Sequence, residues 1–209
     1  MSRAEPTLGL LHGGSFHQLA TLDDPAVRVH RPRALYLPET GPADLDGLDG
    51  LVVSDRLHPR LLRERADDLL TVAARGGTLV VLGENEITPW LPGLAEHRPA
   101  ETNFWWWRTG EDPGIRVRSP RHEAWAHLSE RAVVWHYHGL LRPPEGASTL
   151  VTAGPPGDGP SAILYEDRVS TPGRLIVSTM DPVYHHGSAF MPGATQLLYG
   201  LLRWITASR

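Results

Sequence analysis

The sequence predicts an α/β fold built on a mostly parallel central sheet. Three observations carry this. The short apolar runs Thr7–Leu11, Leu51–Val53, Thr78–Leu82 and Leu175–Ser178 read as strands, and Thr78–Leu82 in particular as one buried on both faces, which is the pattern of a parallel sheet. Between two of them, the stretch Arg60–Arg75 places Leu62, Ala66, Leu69, Leu70 and Ala73 on one helical face, completing a strand–helix–strand unit. The 209 residues fit one domain, 1–209, long enough to bury a core and without an internal repeat.

In chain order, Thr7–Leu11 runs into the tight loop His12-Gly13-Gly14, and a short helix follows from about Ser15 to Leu22. Val27–Val29, extending toward Leu37, reads as a second strand weakened by Pro32, and Leu51–Val53 as a third. Gly76-Gly77 stop the helix over 60–75 before the strand Thr78–Leu82. From about 83 to 120 regularity fades into an excursion from the sheet that contains Trp105-Trp106-Trp107. A short helix near His122–Leu128 precedes a strand over Ala132–His136; Leu150–Thr152 and Ala162–Tyr165 are further strands. Gly154–Pro160 is a loop. The last helix starts near Pro192, a favoured first-turn residue, and carries Leu197, Leu198, Leu201, Leu202 and Ile205 on one face.

Composition excludes several classes of function. The chain has 20 basic and 24 acidic residues, a net charge of −4, and so no overall field toward nucleic acid or anionic lipid. No apolar run approaches the roughly 20 residues that span a bilayer, and the first residues lack the pattern of a secretion signal. A cytoplasmic protein with no membrane and no nucleic-acid partner is expected. Cysteine is absent, which removes disulfides, thiolate metal sites and cysteine nucleophiles. Every basic residue is arginine, which removes Schiff-base lysine and the phosphate-loop lysine. Gly13-Gly14 lacks the third glycine and the downstream acid of a dinucleotide site, and there is no Gly-x-Ser-x-Gly elbow around Ser15.

Several segments carry a family resemblance. Asp49-Gly50-Leu51-Val52-Val53 is similar to a "DxVVV" strand, and Gly76-Gly77-Thr78-Leu79-Val80-Val81 to the "GGxLV" strand that leads into a sharp turn. Arg121-His122 resembles an "HPI" segment, Gly173–Ser178 a "GRVFYTS" strand, and the terminal helix with Trp204 a "GIxWA" finish. Together they resemble the class I glutamine amidotransferase-like superfamily, in its trehalose-utilisation (ThuA-like) branch, over most of the chain. The resemblance implies a flavodoxin-like three-layer fold. It also implies a cysteine on the turn after the glycine-led strand and a His-Pro-Glu after the late strand, where this chain has Gly83-Glu84-Asn85 and Asp181-Pro182. Without the thiolate–imidazole pair the glutaminase reaction fails. ThuA-like proteins tend to carry histidine on that turn, and here too Glu84-Asn85 departs from the pattern.

In an open parallel sheet, ligands bind outside the carboxyl ends of the strands. The polar residues that follow the apolar strands are His12, then Glu84 and Asn85, then His136 and His138 of Trp135-His136-Tyr137-His138-Gly139, then Asp181, His185 and His186. Five of the eleven histidines would converge on one rim with two carboxylates. Imidazole and carboxylate suit a divalent ion such as zinc, manganese or iron, with His136, His138, His185 and His186 as ligands. At i, i+2 on a strand, His136 and His138 would face one ion, with Glu84 as base on a bound water. The same cluster without an ion would do acid–base chemistry, pairing histidine with Glu84 or Asp181. His12, Asn85, Trp106 and Tyr137 are the candidate ligand contacts.

Two functions follow. In the first, a ThuA-like protein binds or processes a small polar, carbohydrate-derived molecule at the His/carboxylate rim, as a metal-dependent hydrolase or lyase. In the second, a non-catalytic scaffold or regulatory subunit uses the Trp105–Trp107 segment as an interface, in a homodimer or larger complex.

Overall fold

The computed structural model describes residues 6–91, 93–99, 106–154 and 159–207. Its strands are β1 (Leu8–His12), β2 (Arg33–Tyr36), β3 (Gly50–Val53), β4 (Thr78–Val81), β5 (Ala95–His97), β6 (Arg116–Val117), β7 (Leu140–Arg142), β8 (Ser148–Thr152), β9 (Ala162–Asp167) and β10 (Arg174–Ser178). The helices are α1 (Phe16–Asp23), α2 (Pro25–Arg28), α3 (Pro59–Glu64), α4 (Ala66–Ala74), α5 (Trp106–Thr109), α6 (Glu130–Val133), α7 (Pro182–Gly187) and α8 (Pro192–Ala207).

All strands join one sheet in the order β2-β1-β3-β4-β10-β9-β7-β5, with β8 also paired to β9 and β6 to β8. The expectation of a mostly parallel sheet is corrected. Pairing is parallel from β2 through β1, β3 and β4 to β10, and antiparallel in every pair beyond. In the parallel half β1, β3, β4 and β10 are buried at every position, as read for the run that forms β4. β7 is too short at three residues to show a pattern, and β5 and β6 draw part of the 83–120 excursion into the sheet.

Two apolar layers sandwich the sheet. Leu8, Leu10, Val52, Val80 and Ile176 pack with Leu197, Leu201, Leu202 and Ile205 of α8 on one face. Leu11, Val53, Val81 and Val177 pack with Leu62 of α3 and Leu69 and Val72 of α4 on the other. The helix over 60–75 exists but breaks at Arg65 into α3 and α4. The second strand lies in the extension toward Leu37, as β2, but Val27–Val29 is not part of it: Pro25 opens a helical turn and the Asp24 carboxylate accepts from Ala26 N–H at 2.6 Å. Ala132–His136 is not a strand either. Ser129-Glu130 start the helical turn α6, and the chain then runs irregularly through 134–139 to β7. Among the described residues no helix is long and apolar enough to cross a membrane.

The parallel strands end at one edge, where the chain leaving β4 meets the chain leaving β10. Gly83 N–H donates to Met180 C=O at 2.9 Å. A Cβ at Gly83 would lie 2.3 Å from the carbonyl carbon and oxygen of Thr179, where only backbone could yield. Gly83→Ala is therefore expected to destabilise the fold by about 3 kcal/mol, at the upper end for overpacking. Gly76→Ala, in open space at φ +90°, should cost only about 1–2 kcal/mol from its left-handed backbone. Denaturant midpoints of the two variants check the difference.

Candidate functional site

The loops leaving β3, β4 and β10 build the site. After β4 the chain turns sharply at Glu84, a non-glycine residue at φ +44°; after β3, Arg56 is held at φ +58°. Such backbone costs of order 1–2 kcal/mol per residue and persists only where surroundings enforce it. Asn85 supplies the enforcement. Its buried amide accepts from Leu57 N–H at 2.9 Å and donates to Ser54 C=O at 2.7 Å and Leu82 C=O at 2.9 Å, stapling the two turns together. The strained pair meet: Arg56 Nη1 lies 2.7 Å from Glu84 Oε2.

After β10, Asp181 is buried with no exposure. Its Oδ2 accepts from Arg56 Nε at 3.1 Å and Nη2 at 2.8 Å. Its Oδ1 is ringed by three imidazoles, with Nε2 of His138, His136 and His185 at 3.1, 3.2 and 3.3 Å. His185 and His136 also face each other, Nε2 to Nε2, at 2.9 Å. Burial alone would raise the Asp181 carboxyl, but the three ring nitrogens outweigh it and hold it well below the usual carboxylate range. Burial lowers the His136 imidazole against the opposing pull of Asp181, which favours the neutral ring that can donate a lone pair.

Local folding fixes each ring. His138 N–H donates to Thr179 C=O at 3.0 Å, and Thr179 Oγ1 to Gly139 C=O at 2.7 Å, tying the 136–138 loop to the end of β10. Glu84 Oε1 lies 3.4 Å from His138 Nδ1, so a proton kept on Nδ1 leaves Nε2 aimed at Asp181. Trp135 packs edge-on against His136 and His185, at 5.3 and 5.7 Å between centroids. His185 rides on α7, whose first turn is held by the buried Asp55. That carboxylate accepts from Val183 N–H at 2.8 Å and Tyr184 N–H at 3.1 Å. Burial, and then the nearby Asp181, push the Asp55 carboxyl well above its usual range. Arg56 also lies over the Tyr184 ring, 3.9 Å from its centroid.

The structure thus gathers Glu84, His136, His138, Asp181 and His185, and Trp106 lines the cavity above them. It does not gather the rest of the predicted rim. His186 cannot share a site with His185, because consecutive helical residues point about 100° apart. It faces Asp24 at 3.3 Å and Thr195 Oγ1 at 3.1 Å instead. His12 packs its ring against Tyr36, 5.6 Å between centroids, and is not among the described residues that line the cavity. Tyr137, between the two site histidines, packs against the core. Asn85 is spent on backbone, and Trp105 lies outside the described residues. Sequence reasoning missed Asp55 and Arg56, although Ser54-Asp55-Arg56 follow β3 as directly as Glu84-Asn85 follow β4.

His136, His138 and Asp181 each offer a ligand atom within 4.8 Å of the others, and His185 Nε2 adjoins them. An ion bonded at about 2.0–2.1 Å to tetrahedral ligands spaces those ligands about 3.3–3.4 Å apart. The contacts of 3.1, 3.2 and 3.3 Å around Asp181 Oδ1 match that spacing. Neutral imidazoles cannot all donate here, and the His136–His185 approach requires at least one bare lone pair.

No family model and no curated protein matches the sequence. Solved structures do match in fold. A GMP synthase-like protein from Thermoplasma acidophilum aligns over 99% of this chain and 96% of its own, with a TM-score of 0.57 at 12% identity. The likeness is one of fold. A cytoplasmic protein from Salmonella typhimurium aligns over 96% and 99%, with a TM-score of 0.54 at 12% identity. A ThuA-like protein from Bacteroides uniformis aligns over 100% and 94%, with a TM-score of 0.51 at 10% identity.

Asp55 yields a direct test. Asp55→Ala removes the acceptor from the Val183 and Tyr184 N–H groups and should cost about 1–3 kcal/mol. Asp55→Asn, which keeps an acceptor oxygen, should recover part of the loss in thermal unfolding.

Proposed function

We propose that this chain is a metal-dependent hydrolase of the ThuA-like branch, acting on a small molecule in the cavity above His136, His138 and His185. One observation carries the reading: ring nitrogens and one buried carboxylate oxygen converge at the spacing of a coordination shell. Zinc, manganese and iron all accept such nitrogen and oxygen donors. A divalent ion there would supply Lewis acidity, polarising a substrate oxygen and acidifying water.

The chain's own residues divide the remaining work. His136, His138 and Asp181 are the ligands, with His185 as a fourth. Glu84 is a positioning residue. Its oxygens are engaged by Arg56 and His138, so it orients an imidazole, a different task from the water base expected from sequence. Arg56 balances the Asp181 and Glu84 charges and holds both in place. Trp106 faces the cavity, which favours a ligand role over a scaffold's interface for that residue.

Protein purified without a histidine tag should carry close to one equivalent of zinc, manganese or iron by mass spectrometry. His136→Ala, His138→Ala and Asp181→Asn should each lose it. Failure to bind any ion after incubation with excess would remove the reading. Glu84→Gln should keep the site but weaken the ion by roughly 10–100-fold, the usual effect of losing an orienting carboxylate. Competition with a chelator measures that shift.

A further inference from the structure

The cavity above the histidines has a volume of about 610 Å³, the size of a small-molecule site. Its floor is polar, formed by Arg56, His136, His138 and His185. Its walls are not. Trp106, Val134, Trp135, Phe190 and Met191 form them, and no described lining residue is an amide, a hydroxyl or a carboxylate. A sugar ring carries hydroxyls on its rim, and desolvating them without partners costs affinity. This wall suits a flat apolar body instead.

Phe190 strengthens the point. It stacks on His185 at 5.4 Å and 28°, yet stays 64% exposed beside the cavity, a large aromatic face left for something else to cover. The residue before it, Ala189, is held at φ +54°. Charge at the site is also uneven. Arg56 is spent on Asp181 and Glu84. Arg131, at the cavity's edge on α6, makes no ion pair among the described residues. A planar guanidinium without a carboxylate partner beside an apolar wall fits a ligand's carboxylate.

We propose that the cavity binds a small carboxylic acid with a flat apolar body, its body against Phe190 and Trp106, its carboxylate on Arg131, and its reacting end toward the histidine floor. This rests on the hydrolase reading for the reacting end, and it replaces a carbohydrate with an aromatic acid as the substrate class.

Isothermal titration tests it with 3-phenylpropanoate, 3-phenylpropanamide and glucose, on protein whose ion content is measured in the same batch. The acid should bind at least about tenfold tighter than its neutral amide and than glucose. Arg131→Gln should erase the difference between acid and amide, and Phe190→Ala should weaken both about tenfold. Arg131 is an exposed side chain, so circular dichroism and ion content should stay unchanged in Arg131→Gln; Phe190 stacks on His185, so Phe190→Ala is compared with the parent protein at equal measured ion content. Glucose binding as tightly as the acid, or an acid preference that survives Arg131→Gln, would overturn the proposal. Protein that holds its ion but ignores the acid overturns this inference alone. Protein without an ion that binds the acid with the expected Arg131 dependence supports it and overturns the hydrolase reading instead.

Discussion

Asp181 is the constraint on which the rest of this edge depends. A buried carboxylate is costly unless it is paired and hydrogen-bonded. Here one oxygen takes the Arg56 guanidinium and the other takes three ring nitrogens, all contributed from outside β10 and its own turn except His185. Each partner must in turn be held. Asn85 staples the strained turns that present Arg56 and Glu84, Asp55 anchors the helix that presents His185, and Thr179 fixes the loop that presents His138. The strain at φ +58° and +44° sits on two residues of one ion pair, so backbone distortion and electrostatic assembly have a common cause.

The mixed sheet explains how these residues meet. The parallel half aligns the ends of β3, β4 and β10, which supplies Arg56, Glu84 and Asp181. The antiparallel half returns the chain through β7, and the irregular stretch before β7 lays His136 and His138 across the end of β10. A wholly parallel sheet would have no such returning strand beside β9. The sharp turn after β4 sets Glu84 at φ +44° and brings its Oε1 to 3.4 Å from His138 Nδ1, so the parallel and antiparallel halves meet at this carboxylate.

Much of the fold was legible because buried parallel strands leave unbroken apolar runs, and α8 leaves a clear helical stripe. The failures have physical reasons. Val27 and Val133 sit in short apolar clusters that read as strands, while Asp24 and Ser129 just before them mark the starts of helical turns. The His136/His138 pair was found through an assumed strand that does not exist; a loop pinned to Thr179 brings both rings to one point instead. His185 and His186 look equivalent in sequence, and only helical geometry separates them. Arg56 meets Asp181 across 125 residues of chain, a pairing no local pattern can announce.

The most direct measurement is X-ray absorption at the metal edge on protein purified without a histidine tag. The account predicts a first shell of nitrogen and oxygen only, at about 2.0–2.1 Å, with the multiple-scattering signature of two or three imidazoles, lost in Asp181→Asn. A shell of water oxygens without imidazole scattering, or an ion that persists unchanged in Asp181→Asn, would contradict the assembly of the site around that buried carboxylate.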